Sequence, residues 1–145
     1  MYQANLKTIS FDRHLGLNVD AFIDAITPQT RVVALENPNG FTGTVLSKPE
    51  IRTIAEKTNK CEAVLLIDEA YYLFTGESVQ SLYQEFDNVI IVRSFSKDFG
   101  MAGLRGGYLL SKPENIDFLY RVKPMYEITE SAVAFCMAVL EFPLY

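Results

Sequence analysis

Three short runs of uninterrupted apolar residues punctuate the chain, and each opens into a polar cluster. They are Arg31-Val32-Val33-Ala34-Leu35, Ala63-Val64-Leu65-Leu66-Ile67 and Val89-Ile90-Ile91-Val92. Continuous apolar runs, unlike alternating ones, suit strands covered on both faces of a parallel sheet. Helical periodicity fills the intervals. Val19, Phe22, Ile23 and Ile26 recur at helical spacing behind Asn18, an N-cap residue, and ahead of Thr27-Pro28, a stop signal. Ser47-Lys48-Pro49-Glu50 reads as a capping box ahead of Ile51, Ile54 and Ala55. Val79, Leu82, Tyr83 and Phe86 give the same period again, and two further helices are expected around Glu114–Arg121 and Thr129–Leu140. Gly107-Tyr108-Leu109-Leu110 follows the third run too closely for a helical crossover, so it is expected to run antiparallel. The pattern predicts an α/β fold: a mostly parallel sheet with helices on both faces and an antiparallel strand at 107–110.

Length and composition narrow the function classes. The 145 residues, 49% hydrophobic and 21% charged, fit one globular domain and exclude disorder and low complexity. A formal charge of -5 argues against a nucleic-acid surface and a cationic membrane helix. The N-terminal residues carry no apolar signal core, and the apolar stretch Ala132–Leu140 is too short to span a bilayer, which points to a cytoplasmic protein. Cys61 and Cys136 show no metal-ligand spacing and read as free thiols. His14 is the only histidine and sits among loop residues, so no zinc site or histidine-based triad is expected.

The chemistry gathers at the carboxyl ends of the three runs, where open parallel sheets bind their ligands. Glu36-Asn37-Pro38-Asn39-Gly40-Phe41-Thr42-Gly43 follows the first, Asp68-Glu69-Ala70-Tyr71-Tyr72 the second, and Arg93-Ser94-Phe95-Ser96-Lys97-Asp98-Phe99-Gly100 the third. Each has an ordinary reading: Asn-Pro-Asn-Gly as a turn, Asp68 as a loop or cap residue, Lys97 and Arg105 as solvated cations. Three such clusters on adjacent strands would converge on one site.

Together they resemble one family. Asp68-Glu69-Ala70-Tyr71, then Ser94-Phe95-Ser96-Lys97, then Arg105 look like the class I/II aminotransferases, pyridoxal-phosphate enzymes of fold type I. Asn37-Pro38-Asn39-Gly40-Phe41-Thr42-Gly43 stands where that family carries Asn-Pro-Asn-Asn-Pro-Thr-Gly, and Ser96-Lys97-Asp98-Phe99-Gly100-Met101-Ala102-Gly103-Leu104-Arg105 is most similar to the histidinol-phosphate aminotransferase branch. The resemblance implies the cofactor pyridoxal 5'-phosphate and transamination between an L-amino acid and a 2-oxo acid. It implies Lys97 as the Schiff-base lysine, Asp68 as partner of the pyridinium nitrogen, and Tyr71 as donor to the ring's phenolic oxygen. Ser94, Ser96 and Arg105 would hold the phosphate. A lysine suits its role because neighbouring cations and burial lower its pKa, and a forked guanidinium suits an anion.

Gly40 and Phe41 depart from the family pattern, which places asparagine and proline there. Asn39 is the candidate to replace the missing hydrogen bond to the phenolic oxygen. Family members are more than twice this length, so the resemblance implies the central part of a cofactor-binding large domain, inactive by itself, from a parent that forms a homodimer. Two sequence features agree: Leu6–Ser10 reads as the end of a strand, and the last helix is apolar all round. A decarboxylase or lyase on the same cofactor, or a non-catalytic binding module, stays open. A P-loop hydrolase is disfavoured because no Gly-Lys dipeptide occurs. A dinucleotide-binding fold is disfavoured because the glycines of 100–107 follow the lysine instead of opening a crossover helix from the first strand.

Overall fold

A computed structural model describes residues 4–124 and 127–142. Four strands, β1 (Val32–Glu36), β2 (Val64–Asp68), β3 (Val89–Ser94) and β4 (Gly107–Leu110), form one sheet in sequence order. The first three are parallel and β4 returns antiparallel beside β3, as expected from the short connection. The helices are α1 (Val19–Asp24), α2 (Lys48–Lys60), α3 (Tyr72–Thr75), α4 (Leu82–Glu85), α5 (Pro113–Val122) and α6 (Glu130–Glu141). Local chemistry sets their starts. Asn18 caps α1 through its side chain to the Ala21 N–H, and Thr129 caps α6 through the Ala132 N–H. The Glu50 carboxylate accepts from the backbone N–H and hydroxyl of Ser47 ahead of α2, which holds its pKa below the usual carboxylate range.

The core lies on one face of the sheet. Val33 and Leu35, Leu65 and Ile67, Val89 and Ile91 point into it and meet Ile26, Ile51, Ile54, Ala55, Val79 and Leu82. Ile51, Ile54, Leu65, Ile67 and Ile91 are fully enclosed, each contributing roughly 1.5–3 kcal/mol. The opposite face is open over β1: Val32 is 60% exposed and Ala34 is exposed, while Val64, Leu66, Ile90 and Val92 are half-buried. The expected cover on both faces is therefore absent over this strand among the described residues.

Two more expectations are corrected. The helix expected over Val79–Phe86 is shortened to α4, because Ser78 and the Val79 N–H are held by Glu69 and helical structure begins at Leu82. Leu6–Ser10 joins no strand; it lies beside the free edge of β1, walling a groove with it. The helix α6 packs on the turn before β4 so closely that a Cβ at Gly106 would sit 2.8 Å from the Cys136 sulfur. Its Val133, Phe135, Met137 and Leu140 remain exposed. Both cysteines are free thiols.

Candidate active site

Strand alternation decides which side chains can meet. Glu36 pairs in register with Asp68, and Asp68 with Val92, so two carboxylates stand side by side at the carboxyl ends of β1 and β2 on the open face. Ser94 follows Val92 by two residues on that face. The ladder continues past the strands: the Asn37 N–H donates to Asp68 O at 2.9 Å and the Glu69 N–H to Val92 O at 2.8 Å. The three polar clusters are thereby held next to one another.

On the open face, Asp68 Oδ1 accepts from the Ala70 N–H at 2.9 Å. Tyr71, the residue before α3, is half-buried, and Lys97 Nζ lies 5.5 Å from its ring centroid. Lys97 is exposed and forms no ion pair among the described residues. Ser94 Oγ accepts from the Ser96 N–H at 3.1 Å, closing a tight turn. The Phe95 N–H donates to Gly106 O, which draws the Arg105 turn alongside Ser96. Arg105 itself has φ 54° and an exposed side chain that reaches Ala102 O at 3.4 Å. It also walls a cleft of about 420 Å³ against the start of α6.

Asn39 is engaged in its own loop. Its Oδ1 accepts from the Phe41 and Thr42 N–H groups and the Thr42 hydroxyl, and its Nδ2 donates to Glu36 Oε2 at 2.7 Å. Gly40 touches Tyr71: a Cβ there would stand 2.5 Å from Tyr71 Cε2, 3.0 Å from its Cζ and 2.9 Å from Glu36 Oε1. The space an asparagine side chain would enter is filled by the tyrosine ring and the Glu36 carboxylate.

The alternate residues build a clamp on the core face. Glu69 is 1% exposed and Arg93 6%. The Arg93 Nε and Nη2 donate to Glu69 Oε2 at 3.0 and 2.8 Å, and Nη2 also donates to Ser78 Oγ and Gln80 Oε1. Glu69 Oε1 accepts from the Val79 N–H at 2.7 Å. The guanidinium carbon lies 3.8 Å from the centroid of the Tyr72 ring. Burial alone lowers the guanidinium pKa, but bonds with Tyr108 and Glu69 outweigh it and leave it raised. Burial, with Tyr108 beside it, pushes the Tyr72 phenol up to about 12. A second brace is Asn37, whose amide bridges the N–H and O of Leu46 across the loop. The motif residues Glu69 and Arg93 carry no role in the sequence reading. Two charged residues of opposite sign just beyond adjacent apolar runs, Glu69 second after one and Arg93 first after the other, were the available signal.

The residues fit a small aromatic ring carrying an aldehyde and a phosphate. They offer an amine that forms no ion pair among the described residues, a carboxylate with an oxygen not engaged by the Ala70 N–H, a tyrosine ring beside that amine, and serine hydroxyls and an arginine on two turns joined by a backbone hydrogen bond. Asp98 Oδ1 is a buried oxygen with no hydrogen-bond partner among the described residues, and burial raises the Asp98 pKa.

Known proteins resemble this chain in both sequence and fold. The family described as aminotransferase class I and II matches residues 1–144. A histidinol-phosphate aminotransferase of Dehalococcoides mccartyi is 42% identical over 132 residues, covering 91% of this chain and 36% of that protein. Another, from Methanococcus aeolicus, is 37% identical over 133 residues, covering 89% and 35%. The fold matches the histidinol-phosphate aminotransferase of Clostridium acetobutylicum with a TM-score of 0.74 at 23% identity, covering 82% of this chain and 36% of that one. It matches a decarboxylase from Sulfurospirillum multivorans with a TM-score of 0.73 at 29% identity, covering 88% and 38%. The chain thus spans a little over a third of the length of these relatives.

Proposed function

The chain belongs to the class I and II aminotransferases, and on that premise we propose that it is the central part of the cofactor-binding large domain of a pyridoxal-phosphate-dependent transaminase. The observation that carries this is the meeting of the loops that follow β2 and β3, which sets Lys97 Nζ 5.5 Å from the Tyr71 ring, three residues beyond Asp68 at the end of β2. When bound, pyridoxal phosphate supplies an electron-withdrawing ring that stabilises negative charge at the substrate Cα.

The residues divide that work. Lys97 would hold the cofactor at its aldehyde and would move a proton at the substrate carbon, its amine left available by the lack of a paired carboxylate among the described residues. Asp68 would balance a positive charge on the ring nitrogen. Tyr71 would donate to the ring oxygen. Ser94, Ser96 and Arg105 hold the phosphate, with Asn39 a candidate at the phenolic side through Glu36. The substrates proposed are an L-amino acid, or an amino-acid-like phosphate ester as the named relatives suggest, and a 2-oxo acid. The parent works in the cytoplasm as a homodimer on this reading. Among the described residues no helix is long and apolar enough to cross a membrane.

The test is the absorbance spectrum of the parent polypeptide with pyridoxal phosphate beside Lys97→Ala. A visible cofactor band that disappears in the variant supports the reading; no band in the wild type overturns it. A second reading, decarboxylation on the same site, is favoured by the likeness to the Sulfurospirillum decarboxylase. Carbon dioxide release in place of amino-group transfer distinguishes the two.

A further inference from the structure

Glu36 is a carboxylate set among residues proposed to face the cofactor, and the family resemblance gives it no role. It stands in register beside Asp68, on the same face of the sheet. Asn39 Nδ2 holds its Oε2 at 2.7 Å. Its Oε1 accepts no hydrogen bond among the described residues and lies 2.9 Å from the point where a Gly40 Cβ would be. The same point is 3.0 Å from Tyr71 Cζ. The free oxygen is therefore within about 6 Å of the carbon that bears the Tyr71 hydroxyl, close enough for its charge to be felt across the site.

We infer that Glu36 is a positioning residue of this site: held by Asn39 in the space that Gly40 leaves open, it sets a carboxylate beside Tyr71 and Asp68 whose charge would favour the protonated form of the cofactor held by Lys97. The inference rests on the cofactor reading above. It follows from three features acting together. Gly40 has no side chain to fill the space, Asn39 fixes one oxygen, and the other oxygen, unbonded among the described residues, shares that space with the tyrosine ring.

Asp68 adds a like charge from β2, Tyr71 stands beside Glu36 on the loop after β2, and Lys97 and Asp98 follow on the loop after β3, Lys97 Nζ 5.5 Å from the Tyr71 ring and Asp98 bonded to the Leu73 N–H. Lys7 and Arg31 line the groove that Glu36 also lines, and neither forms an ion pair with it. Two adjacent carboxylates with no paired cation among the described residues would favour a positive charge on a bound ligand.

The experiment is a pH titration of the visible cofactor band in the parent polypeptide, for the wild type, Glu36→Gln, Glu36→Asp and Lys97→Ala. Glu36→Gln is expected to lower the band's midpoint by about half to one pH unit. Glu36→Asp, which keeps the charge, is expected to stay near the wild-type midpoint. Raising the ionic strength should lower the wild-type midpoint toward that of Glu36→Gln, a readout that needs no variant to fold. Unchanged midpoints in Glu36→Gln and at high salt overturn the inference and leave the cofactor reading standing. A wild type with no visible band, or a Lys97→Ala protein that keeps it, overturns the cofactor reading itself.

Discussion

Removing Glu69 isolates a buried cation, and the size of the effect can be worked from its surroundings. The side chains of Arg93 and Glu69 are 7% and 1% exposed, so water cannot replace the lost partner. Glu69→Ala takes away the acceptor for the Val79 N–H, the Ser78 hydroxyl and two guanidinium N–H groups. Ser78, Gln80 and the Tyr72 ring still face Arg93, but none carries a negative charge. Breaking a buried pair in this way costs about 3–5 kcal/mol, against a total stability of about 5–15 kcal/mol for a domain. With a urea slope of about 2 kcal/mol per molar, the unfolding midpoint should fall by about 2 M. Far-ultraviolet circular dichroism is the assay, because the chain has no tryptophan. The control is Glu69→Met with Arg93→Met, which removes both charges and should recover most of the loss. A single-variant loss under about 1 kcal/mol, or a double variant as unstable as the single, would refute the reasoning.

Three further outcomes follow from other contacts. Gly40→Asn drives a side chain into the Tyr71 ring, 2.5 Å from the new Cβ, so it should cost about 1–3 kcal/mol in urea unfolding instead of restoring the family pattern. Ser47→Ala should cost about 1 kcal/mol at neutral pH by weakening the start of α2. Because Glu50 is lowered in the folded state, that difference is full above its unfolded value and should vanish as pH falls through the folded value, which an unfolding series against pH will read. Asp98→Asn should raise the thermal midpoint at neutral pH, since the raised Asp98 pKa marks a charge the fold disfavours. Here the sign is opposite: the advantage should shrink as pH falls through the raised folded value and the wild-type carboxyl takes its proton.

The four strands and the starts of α1, α2, α5 and α6 were legible because each rests on local chemistry. An apolar run at Val64–Ile67, a cap at Asn18 and a box at Ser47–Glu50 act within a few residues. The helix expected at 79–86 was misread because its periodicity is real but a distant group overrides it: Glu69 takes the Val79 N–H that a helix would have left for a cap. The positions of Asp68, Tyr71 and Lys97 could be anticipated, since strand ends in a parallel sheet converge whatever the loops do. The engagement of Asn39 could not, because it depends on which acceptor a loop folds against, and Glu36 became visible only once register set it beside Asp68.

Asp68 and Glu69 are neighbours in sequence, as are Arg93 and Ser94, yet the pleat sends one of each couple to the open face and the other to the interior. Chemistry and durability are written in alternate letters of the same short words. Substitutions can therefore drift in one set while the other is preserved. Insertion or deletion of one residue in β2 or β3 would transpose the two messages at once, burying Asp68 or Ser94 and turning Glu69 or Arg93 outward. Length changes in this lineage should accordingly collect in the connecting loops and spare those two strands.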